Sequence, residues 1–308
     1  MLSTDGKGPA DSILNSAQRT LNEKQAPHWP TSGEERTWYP PLATFLNNCV
    51  DACHSALRGS TSAAAKDPRF YDRLKFIVYD KNTEDGVDGA APVKPDLVGG
   101  LDLKPDERVA WSPRDAHVKQ VLLPVEVKGD WAPMVSRAAT YARCLFSARP
   151  SRQFALVLGF QHGEGKGKLR FLVFHRSGMT GSKSLSVKDG SDQKDTLRIL
   201  LSILDWRHAK DAGFPDFFND FEMFLFRHEG DQDGVVATVT EVLHDGLCVR
   251  GRASRVLLMR YPTCKGKEPE SFIPPLAPTV RTRRHRRTKS PTAKGDEGIR
   301  MWFHHRYI

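Results

Sequence analysis

Long apolar runs are missing from this 308-residue chain. The longest, Phe154–Phe160 and Phe171–Phe174, fall far short of the ~20 residues that a bilayer-spanning helix requires. Residues Met1–Ala10 also lack the apolar core of a secretion signal. These absences argue against a membrane helix and place the protein inside the cell, in cytoplasm or nucleus. Cysteine is scarce as well: there are five, Cys49, Cys53, Cys144, Cys248 and Cys264, with no Cys-x-x-Cys pair. Reduced thiols and no zinc ribbon are expected, and Cys49 and Cys53, one helical turn apart, read as small buried residues. No Walker loop and no Gly-x-Ser-x-Gly turn occurs. The histidines His117, His162, His208, His228 and His244 are scattered without metal-ligand spacing, and His304-His305 falls in the tail. Gly163, Gly165 and Gly167 read as a flexible hairpin, because no helix N-terminus follows to cradle a phosphate.

With 39% hydrophobic and 27% charged residues, the chain reads as globular with irregular segments. Its net charge of +9 is unevenly spread, since Arg281, Arg283, Arg284, Arg286, Arg287 and Lys289 crowd into one stretch. The rest is near neutral. That run suits non-specific nucleic-acid contact or an import receptor, or serves as a solvated linker.

Apolar spacing divides the chain into four parts. Residues 1–32 are polar and weakly periodic and read as a disordered arm. Residues 33–210 read as an α/β domain. Leu42, Phe45, Leu46, Cys49, Val50, Cys53 and Leu57 follow helical spacing after Pro40-Pro41. Strands are expected at Leu74–Tyr79, at Asp96–Leu103 with an interruption at Gly99-Gly100, and at Gln120–Lys128. A second helix through Met134–Phe146 follows, then strands Gln153–Phe160 and Leu169–His175, and a third helix over Thr196–Trp206. This order predicts a mixed sheet with flanking helices. Residues 211–261 hold short antiparallel strands with Asp245-Gly246 as a turn, and the proline-rich 262–308 reads as a disordered basic tail.

One constellation points to chemistry. Pro95-Asp96 is followed by Glu126-Val127-Lys128 at the end of the most apolar strand, and a helix comes next. Acids on adjacent strands can hold a divalent cation, which acidifies a bound water, and a lysine two residues after the glutamate shares its face and can orient that water or stabilise phosphate charge. This arrangement resembles the core of the PD-(D/E)xK nuclease-like, or restriction-endonuclease-like, fold. The resemblance implies Asp96, Glu126 and Lys128 as catalytic residues if the domain is a nuclease, with Mg²⁺ held by Asp96 and Glu126 and with Glu35 as a further acid. It also sets Tyr141 and Arg143 on the helix behind the site, to meet substrate or brace the strand.

A wider resemblance runs from Lys94 to Ser182. The succession Lys94-Pro95-Asp96-Leu97, Trp111, Val125-Glu126-Val127-Lys128, Ala139–Phe146, Arg152-Gln153-Phe154 and Phe174–Gly178 resembles the region preceding the catalytic core in the fungal-type protein kinase family. Extended from Glu34 to about Tyr261, the likeness makes Val249–Val256 similar to the glycine-bearing first hairpin of a kinase small lobe. Gly251 and Arg252 would then be remnants of the loop that covers ATP phosphates. Past Tyr261 there is no strand lysine, no His-Arg-Asp base and no Asp-Phe-Gly metal ligand. His175-Arg176-Ser177 has serine where the base would stand, and Asp216-Phe217-Phe218 lacks the glycine. The resemblance therefore implies a truncated kinase-like protein without phosphoryl transfer, whose α/β domain acts as a regulatory or interaction module for a protein partner.

Overall fold

The computed structural model describes residues 11–59, 69–85, 92–113, 115–149, 152–163, 167–175, 177–214, 222–225, 235–245, 254–260, 280–282 and 299–304. The chain forms two compact units. The first takes in Met1–Ala148, Phe154–Phe174 and Met179–Gly213, and the second Arg149–Gln153, His175–Gly178 and Phe214–Ile308.

The first unit starts with helix α1 (Asp11–Glu23), where a disordered arm was expected. Its stripe is short but sufficient: Leu14, Ala17 and Leu21 are buried at helical spacing, and α1 packs on α2 (Tyr39–Gly59) and α4 (Gly190–Leu204). Three small or medium apolar residues in a polar segment are a weak signal alone, and the fold supplies the surface that makes them useful. The linker after α1 is also ordered, with Trp29 stacked on Phe160 at 6.0 Å between ring centroids. Helix α2 begins at Tyr39-Pro40-Pro41, where the missing proline N–H groups cost nothing, and buries the expected face, including Cys49 and Cys53.

Strands β1 (Leu74–Val78), β2 (Leu97–Leu101), β3 (Val109–Ala110), β4 (Lys119–Gln120) and β5 (Leu123–Lys128) follow. Helix α3 (Trp131–Ala148) leads to β6 (Phe154–Gln161), β7 (Lys168–His175), β8 (Gly178–Gly181) and β9 (Leu185–Ser186). The main sheet runs β1-β2-β5-β6-β7-β8, with β9 beside β7. It is mixed: β5 and β6 are parallel across the α3 crossover, while β1–β2, β2–β5 and β7–β9 are antiparallel. The α/β class and mixed sheet with flanking helices thus hold.

Three local expectations need correction. The stretch 120–128 is not one strand: β4 pairs with β3, Val121 N–H bonds to Ala110 O, and the chain then joins β2, Leu122 N–H bonding to Gly99 O. Gly99-Gly100 does not interrupt β2, because both glycines lie buried within it. The last helix starts at Gly190, since the Asp189 carboxylate accepts from Ser191 N–H and Asp192 N–H and caps it.

Strand β1 ends the sheet, and its free edge is partly blunted by a side chain. The Asn47 amide on α2 donates to Phe76 O and accepts from Phe76 N–H, both at 2.8 Å, imitating a neighbouring strand. Asn47→Ala is expected to destabilise the protein by about 2 kcal/mol, because two main-chain groups lose partners. Denaturant titration checks this, and an unchanged midpoint would show that water replaces the amide at no cost.

The second unit holds a five-stranded sheet ordered β10-β11-β12-β14-β13. These are β10 (Glu222–Leu225), β11 (Val235–Asp245), β12 (Ser254–Arg260), β13 (Val280–Thr282) and β14 (Ile299–His304). The pairs β10–β11, β11–β12, β12–β14 and β13–β14 are antiparallel. Two of these strands fall in 262–308, where a disordered tail was expected; β14 pairs with β12 and β13 pairs in turn with β14, so backbone hydrogen bonding recruits both. Gly251, Arg252, most of the Arg281–Lys289 run, Cys248 and Cys264 lie outside the described residues.

Candidate functional site

Asp96 immediately precedes β2, and Glu126 and Lys128 lie on β5. Since Leu97 pairs with Val125 in the antiparallel register, Asp96 comes opposite Glu126 and their side chains share a face. Lys128 joins that face through the two-residue strand period. The structure brings all three together, at the carboxyl end of β5. The Lys128 ammonium lies 3.0 Å from Glu126 Oε1 and 3.9 Å from Asp96 Oδ2. It also donates to Glu35 Oε1 at 2.7 Å and to Val127 O at 2.9 Å. Glu35 arrives from the 3₁₀ turn Glu35–Trp38, just ahead of α2.

Two tyrosines complete the cluster. Tyr39 Oη lies 2.8 Å from Glu35 Oε1 and 2.6 Å from Asp96 Oδ1, and the other Asp96 oxygen accepts from Val127 N–H at 2.7 Å. Tyr141, on α3, hydrogen-bonds Glu126 Oε2 and lies 3.0 Å from Lys94 O. The Tyr141 hydroxyl is the donor in both contacts, and its bond to Glu126 favours the ionised carboxylate. Tyr141 therefore braces the strand acid, while Arg143 is exposed and takes no part in lining the cleft.

Burial, and then the charge of Asp96, push Glu126 up to about 7 against the pull of Tyr141 and Lys128. Burial raises Asp96 too, opposed by its bonds from Tyr39 and Val127 and by Lys128. Burial alone would lower Lys128, but Glu35, Glu126 and Asp96 outweigh it and hold the ammonium above its usual range. Both tyrosines are raised, first by burial and then by the carboxylates beside them.

A folded-state Glu126 near 7 against 4.5 when free makes the acid a proton-holder in the native state. Its contribution to stability is complete below about 4.5 and is lost as pH rises through about 7, up to roughly 3 kcal/mol. His54, buried and lowered by desolvation, acts with the opposite sign, so the difference between two proteins is the useful quantity. Glu126→Gln should remove the Glu126 part, leaving a stability profile between pH 5 and 7 that falls less steeply than that of the parent. Parallel profiles from denaturant melts would show that Glu126 titrates normally.

The cluster floors a cleft of about 470 Å³ lined by Glu34, Glu35, Arg36, Tyr39, Asp80, Lys94, Asp96, Glu126, Lys128 and Arg137. Asp96 and Glu126 offer hard oxygen donors of the type that Mg²⁺ takes, usually one or two carboxylates with water completing the shell. In the present side-chain arrangement the Lys128 ammonium fills the space between them, and no group of three or more His, Cys, Asp or Glu among the described residues is set to hold a metal ion. Glu35 is turned to Lys128 and Tyr39. The donor types fit a divalent cation once the Lys128 ammonium, already 2.7 Å from Glu35, gives up Glu126.

Sequence reading singled out Asp96, Glu126, Lys128, Glu35 and Tyr141. It passed over Tyr39, whose only signal was its place one helical turn after Glu35, and the cleft cations Arg36, Lys94 and Arg137. No helix among the described residues is long and apolar enough to cross a membrane, and Cys49, Cys53 and Cys144 are free thiols. Compared with protein-family models, with curated proteins and with solved structures, the chain finds no match in any of the three.

Proposed function

We propose that the α/β unit is a metal-dependent phosphodiesterase of the PD-(D/E)xK nuclease type. The observation that carries this reading is the placement of Asp96 and Glu126 opposite each other, with Lys128 on the same face, in the floor of an open cleft. Held by Asp96 and Glu126, Mg²⁺ would supply Lewis acidity toward phosphate and acidify a water. The protein's own groups do the rest. Lys128 offers a positive charge to a phosphate oxygen, and Glu35, already its nearest carboxylate, keeps hold of the ammonium when Asp96 and Glu126 release it. Tyr39 and Tyr141 fix the carboxyl groups, which limits the reorganisation left for the reaction. The test is incubation of the full chain with DNA and with RNA in Mg²⁺ or Mn²⁺. Cleavage should appear, and Glu126→Ala should abolish it while circular dichroism stays unchanged. No cleavage of either polymer with either metal would reject the reading.

A second reading is favoured by the closure of the network, in which Lys128 and the tyrosines already satisfy the three acids. Here the chain is a protein similar to fungal-type protein kinases, and the α/β unit is an interaction module with a relic site. Purified protein would then neither cleave nucleic acid nor transfer phosphate from Mg-ATP.

A further inference from the structure

Charge in the cleft is sorted by depth. Glu35, Asp96, Glu126 and Lys128 lie at the floor, with Asp96 and Glu126 buried, while Arg36, Lys94 and Arg137 stand among the lining residues with exposed or half-exposed side chains, together with exposed Glu34 and half-buried Asp80. An acidic floor repels a phosphate that is not bridged by a cation. A polyanion is therefore drawn to the rim before it is drawn to the floor.

The rim is built rather than incidental. Asp80 holds two of its cations, Lys94 through Oδ1 at 2.8 Å and Arg36 through Oδ2 at 3.0 Å. Its backbone adopts φ +37°, a left-handed conformation that non-glycine residues seldom take, and its N–H bonds to Asp96 O at 3.2 Å. The residue that carries a metal-site acid thus anchors, through its carbonyl, the carboxylate that clamps the rim. Arg137 differs from the other two. It lies one turn before Tyr141 on the same face of α3, so it stands beside the tyrosine that braces Glu126. Among the described residues, no carboxylate pairs with it. Its guanidinium keeps a planar fork of donors, suited to two oxygens of one phosphate.

We infer that Arg137, with Arg36 and Lys94 clamped by Asp80, forms a phosphate-binding rim that holds the backbone of a nucleic-acid strand across the acidic floor. Arg137 is the anchor, since no carboxylate among the described residues is paired with it. Asp80 is a positioning residue, since it fixes two cations and contacts no phosphate itself. Recognition is by backbone charge, so binding is sequence-independent and steeply salt-dependent. The inference rests on the phosphodiesterase reading for the identity of the floor, but binding and cleavage are measured separately.

The experiment is fluorescence anisotropy of labelled DNA and RNA strands with the full chain, in EDTA and again with Ca²⁺, over a range of salt. Arg283, Arg284, Arg286 and Arg287 are changed to Gln in every protein so that the tail run does not mask the cleft. Arg137→Ala should weaken binding about tenfold and lower the slope of log affinity against log salt by about 1, and Arg137→Glu should weaken it further. Asp80→Asn frees two cations from their clamp, so the salt slope should change without loss of Arg137 dependence. Arg73→Ala, an exposed cation paired with Asp102 away from the cleft, should leave affinity unchanged. DNA and RNA arms tell which polymer fits. Equal affinity for Arg137→Glu and the parent, or no binding in either condition, overturns the rim. Rim-dependent binding without Mg²⁺ or Mn²⁺ cleavage keeps the rim and rejects hydrolysis, whereas cleavage indifferent to Arg137 does the reverse.

Discussion

Lys128→Met should destabilise the protein by about 3 kcal/mol at pH 8, because it leaves three acids around a site that no longer contains a cation. Among the described residues, Lys128 is the one ammonium that touches Glu35, Glu126 and Asp96 together, and its side chain is only 27% exposed. Methionine fills similar space without charge. The loss should shrink at pH 6, where Glu126, already pushed up to about 7, takes a proton and relieves the repulsion from Asp96. A second variant makes the cause visible even if the first is too unstable to purify at high pH. Lys128→Met with Glu126→Gln should recover most of the stability at pH 8, since the uncompensated charge is gone. Equal losses at both pH values, or no recovery in the double variant, would show that Lys128 supports the fold by packing alone.

Gly100→Val is expected to have an effect of comparable size for an unrelated reason. A Cβ at Gly100 would stand 2.7 Å from Gln120 O and 3.1 Å from Leu103 Cδ1. The first of these is main chain, fixed where β4 gives way to β5, and it cannot rotate aside. Forcing the strands apart at this point should cost roughly 3 kcal/mol, within the usual range for overpacking a buried site. Gly159 offers a graded comparison, because its Cβ would meet the flexible thioether of Met134 at 2.6 Å, which can move. Gly190→Ala is the control, with nothing within 4 Å, and should be neutral or slightly stabilising. Thermal melts should rank Gly100→Val below Gly159→Ala, and Gly159→Ala below Gly190→Ala. A tolerated Gly100→Val would mean that the turn from β4 to β5 is looser than its geometry implies.

Local pattern carried a good deal of this architecture. Helices α2 and α3 were legible because long apolar stripes at helical spacing survive any reasonable tertiary context. The apolar run of β5 marked it as a central strand, and it is buried along almost its whole length. The shared face of Glu126 and Lys128 needs only the two-residue strand period. Helix α1 was hidden, since its three buried residues acquire meaning only against α2 and α4. Strands β13 and β14 were hidden for a related reason: a short segment in a proline- and arginine-rich stretch becomes a strand when an unpaired edge is available to it, β12 offering that edge to β14 and β14 to β13.

For the candidate site, the sequence by itself determined that Glu126 and Lys128 share a face, because strand period is a local property. Only the tertiary structure decided that Asp96 pairs opposite Glu126, since that depends on the register of β2 against β5. It also decided what surrounds them. Tyr39 and Tyr141 come from different helices, Glu35 from a 3₁₀ turn, and Asp80 and Arg137 from segments far apart in the chain. Spacing along the chain does not encode such convergence, because burial and the electrostatic field arise from atoms that folding brings together. The charge state of Glu126, the resting place of the Lys128 ammonium and the cationic rim are therefore properties of the folded protein alone.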